Sequence, residues 1–309
     1  MADDASRTPD ARPKLQRDTD GVPRGQLVLD GLVQLLDLEQ IDTDVFRGHS
    51  PPGSGMSRVF GGQVASQALV AASRTVPAER RVHSLHAYFL RPGDPQIPLE
   101  FRVDRLRDGG SFTTRRVLAI QRDKTVFAMS ASFQIDEPGL DHSVPMPKVP
   151  DPEGLPTLAE RIADIPEALA GWRRAPRPFD LRYASDPPWL SRLSGPQATA
   201  RSQIWFKADG VLPDDPVLHV CMLTYLSDLT LLDAIMVEHG IAPGADDVQL
   251  ASLDHAMWFH RPIKVDEWLL YDISSPSASG ARGLGTGHFF SREGRVIATA
   301  VQEGLVRLR

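Results

Sequence analysis

A single cysteine, Cys221, stands in a chain of 309 residues. One cysteine cannot close an intrachain disulfide, and it suits a reducing compartment. It lies in the apolar run HVCMLTYL, where a thiol reads as a buried structural side chain rather than a nucleophile. No apolar run reaches the roughly 18 residues of a membrane-spanning helix. There is no HExxH and no closely spaced His/Cys set, so nothing in the pattern calls for a metal. No GxSxG elbow supports a Ser-His-Asp hydrolase. Positive charge is in deficit: 34 Lys and Arg stand against 40 Asp and Glu, for a net charge of -6. That balance argues against a nucleic-acid surface. The first 25 residues are charged and have no apolar centre, so they read as a disordered tail over 1–25 rather than a signal peptide. The last residues, VRLR, do not form a peroxisomal tripeptide of the SKL kind. A cytoplasmic protein is expected.

What is present is enough apolar material, 41% of residues, for one large domain or two of ordinary size. Gln26 to Leu38 places Leu29, Leu32, Val33 and Leu36 at helical spacing. Val45 to Gly48 reads as a short strand. Gly61 and Gly62 open an Ala-rich helix that Pro77 stops. Strand patterns follow at Val82 to Leu90, Leu99 to Arg107, Phe112 to Arg122 and Thr125 to Gln134, the last two forming a hairpin. Residues 136–200 are rich in proline and read as a linker and surface excursion. The earlier order then returns: a strand at Arg201 to Ala208, a helix at Leu229 to Val237, and four strand-like segments from Ala251 to Leu305.

That return is an internal repeat. Pro92 and Pro262 each close an aromatic strand with Arg-Pro, 170 positions apart. The same offset pairs Phe89 with Phe259, Leu99 with Leu269, Phe101 with Tyr271 and Gly110 with Gly280. It also pairs the hairpin residues Arg122-Asp123 with Arg292-Glu293, and the helix at Val64 to Ala72 with residues 234–242. The expected fold class is α+β, with units over 26–135 and 201–309. Each is a central helix wrapped by an antiparallel sheet, and the two join into one long sheet, a double hotdog.

The motifs VFGGQVASQAL, HAYFLRPGD, LDHAMWFHRP, DEWLLY and ATAVQEGL resemble the acyl-CoA thioesterase II (TesB-like) family, over about Gln26 to Leu308. The resemblance implies hydrolysis of fatty acyl-CoA to free acid and CoA, with no metal and no prosthetic group, in a dimer or larger homo-oligomer such as a tetramer. It also implies three catalytic residues. The family's Asp falls on Asp228 in YLSDL, its hydroxyl residue on Ser252 in ASLDHAMWFH, and its Gln on Gln302 in VQEG. Where the best-known relatives have Thr, this chain has Ser252, which keeps the hydroxyl but is less stiff at χ1.

Without the resemblance the same residues have plainer readings. Asp228, before an apolar run, is placed as a helix N-cap; Ser252 is a strand or turn hydroxyl and Gln302 an edge or solvent-facing strand residue. Gly62 and Gln63 open the first helix, either as N–H donors to an oxyanion or as a site of close helix packing. Arg282 is either a contact for CoA phosphates or a solvated turn charge. His83, His86, His255 and His260 read as packing or hydrogen-bonded side chains. The aromatic pairs Tyr88-Phe89 and Trp258-Phe259 are candidates to wall an acyl channel. Two further readings remain. One is an enoyl-CoA hydratase or hydroxyacyl-CoA dehydratase using the Asp214 and His219 spacing, here placed in a loop. The other is an acyl-CoA-binding protein without catalysis.

Overall fold

A computed structural model describes residues 15–51, 57–166, 175–196, 199–245 and 247–309. A short hairpin of β1 (Gln16–Arg17) and β2 (Pro23–Arg24) leads into α1 (Gln26–Leu36), whose Leu29, Leu32 and Leu36 are buried as the spacing predicts. Residues expected in a disordered tail are therefore partly ordered: Arg24 forms a two-pronged ion pair with Asp209, which also accepts from the Gly25 N–H. Residues 1–14 lie outside the described set.

The first unit then follows as β3 (Glu39–Asp42), β4 (Val45–Gly48), α2 (Gly61–Ser73), β5 (Arg80–Phe89), β6 (Leu99–Asp108), β7 (Phe112–Gln121) and β8 (Lys124–Ile135). Helix α2 is buried along almost its whole length, from Gly62 to Ala72, because alanine, glycine and serine let it lie close to the sheet on one side and a second helix on the other. Arg122 and Asp123 both adopt positive φ, the conformation that turns a tight hairpin between β7 and β8.

The proline-rich stretch does more than connect. It supplies α3 (Leu158–Arg161), β9 (Phe179–Tyr183) and α4 (Pro188–Ser194). Its residues Met146, Val149 and Leu155 also cover a cluster of Trp205, Trp268, Leu270 and Phe290, where the Trp205 indole donates to the Pro150 carbonyl at 3.0 Å. The second unit comprises β10 (Arg201–Ala208), α5 (Pro216–Ser227), α6 (Asp233–His239), β11 (Val248–Ser252), β12 (Asp254–Phe259), β13 (Leu269–Ser279), β14 (Arg282–Phe290) and β15 (Val296–Leu308).

All strands but the first two form one antiparallel sheet in the order β3-β4-β6-β7-β8-β5-β12-β15-β14-β13-β10-β9, with β11 also paired to β15. The order reads the same from either end once each strand is replaced by its repeat partner. The join is β5 against β12, through pairs such as His86 with Ala256. This is the double hotdog that the repeat predicts. The offset of 170 carries the first residue of β6 onto that of β13, and of β7 onto that of β14.

One expectation is corrected. The helix predicted at Leu229 to Val237 begins only at Asp233, and a separate helix, α5, precedes it. Asp215 caps α5 by accepting from the Val217 N–H, with Pro216 in its first turn. The run LHVCMLTYL hides this helix because it has no polar face: it is buried on most sides and so lacks an amphipathic period. α5 packs against α2, and α6 against β10, β13 and β14. Residues 228–232 form a break between α5 and α6. The break lies flat on the sheet because β14 presents Gly285 there; a Cβ on Gly285 would sit 2.3 Å from the Leu231 carbonyl oxygen.

The proline-rich stretch is also tied to the core through a buried acid. Tyr183 of β9 donates to Asp233 of α6 at 2.8 Å, and burial pushes the Asp233 carboxyl up to about 8 despite that bond. The folded protein therefore holds a proton at Asp233 that the unfolded chain releases above its ordinary value of 3.8. Stability falls as pH rises between those two values, by at most about 1.4 kcal/mol per pH unit. Asp233→Asn keeps an acceptor for Tyr183 and cannot ionise. Its urea midpoint is expected to exceed that of the wild type near pH 8 and to converge with it toward pH 4; a pH-independent difference would contradict this account.

Candidate active site

Asp228 does not open a helix. It is the C-cap of α5, with φ -83° and ψ -6°, so the N-cap reading is replaced by a position where a carboxylate faces the negative end of a helix dipole. The compensation comes from α2, whose N-terminus points at the same place. The Gly62 N–H donates to the Asp228 carboxyl. A Cβ on Gly61 would lie 2.5 Å from Asp228 Oδ2, and one on Gly62 would lie 2.4 Å from the Tyr225 carbonyl oxygen. Two glycines are thus required for α2 and α5 to meet end to end around the acid.

The sheet supplies the remaining partners. Ser252 ends β11, and Gln302 lies in β15 opposite Gly285 of β14. The Ser252 hydroxyl donates to Asp228 Oδ1 at 3.2 Å, and Gln302 Nε2 donates to the same oxygen at 2.9 Å. Gln302 Nε2 also reaches Ser252 Oγ. Three side chains separated by 24 and 50 positions in the chain thus form one hydrogen-bonded set around a single carboxylate oxygen. Burial raises the Asp228 pKa; the nearby His255 and the bonds from Gln302, Ser252 and Gly62 oppose the rise without cancelling it. Asp228 and Ser252 keep part of their surface open, whereas Gln302 is buried.

The walls are aromatic. Phe60 and Tyr225 meet edge to face at 5.0 Å, and the Phe89 ring borders Gly61. Burial pushes the Tyr225 phenol up to about 12, with the Asp228 charge adding to the effect. Of the aromatic residues proposed to line a channel, Phe89 is the one beside the acid. Tyr88 is 62% exposed and Trp258 packs edge to face on His86. Successive strand residues alternate between faces, which puts both on the other side of the sheet.

The other candidates are placed as follows. The Gln63 side chain turns away from the acid, bonding the His49 carbonyl, Ser50 and Gln67. Arg282 pairs with Glu303 at 2.9 Å, and Glu303 follows Gln302 in its strand, so Arg282 lies on the opposite face of the sheet. His83 meets Ser132, and His260 meets Thr299. His255 is the hydrogen-bonded kind of histidine that the sequence allows: it is wholly buried and its Nδ1 lies 2.9 Å from Gln302 Oε1. Asp214 is exposed near Lys264. His219 is buried on α5 and its Nδ1 accepts from the Val265 N–H at 3.2 Å. The spacing that suggested a hydratase pair therefore places its members in different surroundings, Asp214 in the loop as expected and His219 on α5. Cys221 is buried on α5, and burial pushes its thiol up. Among the described residues, no group of His, Cys, Asp and Glu could hold a metal ion.

Comparison with known proteins agrees with this layout. The acyl-CoA thioesterase family matches residues 174–305, and the acyl-CoA thioesterase N-terminal domain matches residues 50–134. Acyl-CoA thioesterase 2 of Haemophilus influenzae is 40% identical over 286 residues, covering 91% of this chain and 98% of its own. Acyl-coenzyme A thioesterase 8 of Mus musculus is 36% identical over 290 residues, covering 90% and 89%. The crystal structure of acyl-CoA thioesterase II TesB2 from Mycobacterium marinum is 45% identical and superposes with a TM-score of 0.74, over 89% of this chain and 98% of that one. With the fold and both halves matched, the chain belongs to the acyl-CoA thioesterase II family and hydrolyses acyl-CoA thioesters.

Proposed function

We propose that Asp228 is the general base of this hydrolysis, and that Ser252 and Gln302 orient the water it activates. The observation that carries the proposal is the convergence of the Ser252 hydroxyl and the Gln302 amide on Asp228 Oδ1, in a setting that raises the pKa of the acid. A carboxylate with a raised pKa is a stronger proton acceptor than an ordinary surface aspartate. Water attacks the thioester carbonyl while its proton passes to Asp228. The tetrahedral oxyanion collapses, the C–S bond breaks, and CoA leaves as a thiolate, which requires no strong acid. The proton held by Asp228 is then returned to solvent or to the departing sulfur. The positive end of α2 at Gly62 supplies the electrostatic field for the oxyanion, with Gln63 contributing through its place in the first turn. Arg282, on the opposite face, is assigned no step.

The fatty acyl chain is placed against Phe60, Phe89 and Tyr225. The 26–135 and 201–309 units are read as a fused pair around one site. A cytoplasmic role in lipid metabolism accords with the lone buried thiol. A homo-oligomer accords with the exposed aromatic face around Tyr88.

Asp228→Asn is expected to lower kcat by about 10²–10⁴-fold, with the fold retained. The measurement is CoA thiol release from acyl-CoAs of increasing length, followed with a thiol-reactive dye. Full turnover in the variant would remove Asp228 from the mechanism. In the wild type, kcat/KM is expected to rise with pH as Asp228 loses its proton. The midpoint of that limb should lie above the ordinary carboxylate value of 3.8; a limb at or below that value would show that the base is a different, solvent-exposed group.

A further inference from the structure

Gln302 can serve Asp228 only in one of its two amide orientations. Its Nε2 faces Asp228 Oδ1 and Ser252 Oγ, and its Oε1 faces His255 Nδ1. Rotating the amide by half a turn would set Oε1 against a carboxylate oxygen at 2.9 Å, two acceptors with no proton between them. The orientation is therefore worth fixing, and its far end is held by the imidazole. An amide oxygen only accepts, so His255 Nδ1 must carry a proton. The other ring nitrogen lies 2.8 Å from the Ser227 hydroxyl, which is also within 2.8 Å of the Thr224 carbonyl and 3.3 Å of Met257 Sδ. Ser227 and His255 are both wholly buried, so neither has water to replace a lost partner. The chain closes on itself, because Ser227 immediately precedes Asp228.

We propose that His255 is a positioning residue for thioester hydrolysis. Its Nδ1–H fixes the Gln302 amide so that both amide protons point at the reacting centre, and Ser227 fixes the ring. The proposal rests on the reading of Asp228 as the base. His255 touches no reacting atom; its effect passes wholly through Gln302. The effect is thus expected in kcat rather than KM, since the amide orients the attacking water and leaves the acyl and CoA contacts alone.

The test compares two substitutions of similar size and polarity. His255→Asn places its amide nitrogen near the position of Nδ1 and can still donate to Gln302. His255→Gln reaches the Nε2 position and Ser227 but gives Gln302 no donor. His255→Asn is expected to retain kcat within about threefold, whereas His255→Gln loses about 10–100-fold with KM little changed, the scale of a misplaced reacting group. Each is then combined with Gln302→Ala. In that background His255→Gln is expected to cost nothing further, because the group it positions is gone. Equal activity of the two variants, or a His255→Gln loss that persists in full beside Gln302→Ala, would overturn the proposal. Thermal melts of both variants report whether the fold is intact, and the Asn variant serves as control if the Gln variant is unstable. Asp228→Asn, assayed alongside, separates the two ideas: full activity there defeats the base assignment itself, whereas its loss with additive His255 and Gln302 effects defeats the positioning role alone.

Discussion

The structure depends on keeping one carboxylate in an apolar place. Asp228 sits where the negative end of α5 meets the positive end of α2, with protein on most sides. The loss of hydration alone would favour its protonated form. Three polar contacts, from Gly62, Ser252 and Gln302, favour the charged form and oppose the rise in its pKa. The backbone around the acid also approaches closely, and the chain meets that demand with glycine: Gly61 and Gly62 beneath the acid, and Gly285 beneath the break that carries it.

The break between α5 and α6 is what separates the two halves of an otherwise symmetrical sheet. The first unit runs one unbroken helix, α2, over its strands. The second interrupts its helical segment at residues 228–232 and gains a carboxylate there. The offset that relates the strands carries Gln302 onto Ser132 and Ser252 onto Val82. In the first half Ser132 bonds His83 at 2.8 Å, and among the described residues no carboxylate bonds it. The duplicated fold therefore keeps one polar set. That set still needs both halves, because Gly61, Gly62 and Phe89 come from the first and Asp228, Ser252 and Gln302 from the second. Neither half encloses it alone.

The outer face of the sheet shows a related division. Over the second unit the proline-rich stretch lays Met146, Val149 and Leu155 on Trp205, Trp268 and Phe290. The centre of the sheet, around Tyr88, His86 and Trp258, remains open. The part of that stretch over residues 145–156 is the richest in proline and carries few backbone donors, so it lies along the sheet face without pairing, whereas β9 further on joins the sheet edge.

Much of this was legible in the residues. The strand alternation, the tight turn at Arg122-Asp123, the Ala-rich helix and the constant spacing of 170 positions were sufficient for two helix-on-sheet units in one chain. The long motifs named the family and its three polar residues. What the chain alone misplaced was local: α5 escaped notice because a helix buried on most sides has no amphipathic period, and Asp228 was read at the start of a helix instead of the end of one. Tyr88 and Trp258 were read with their neighbours Phe89 and Phe259, although alternation sends each pair to opposite faces. The connection from His255 to Gln302 could not be read at all, since 47 positions separate them and only the pairing of β12 with β15 brings them together. Pattern along a chain records which face a residue occupies and what its neighbours permit. The distances that make three side chains into one site, and a fourth into its support, arise only when the strands are laid in register.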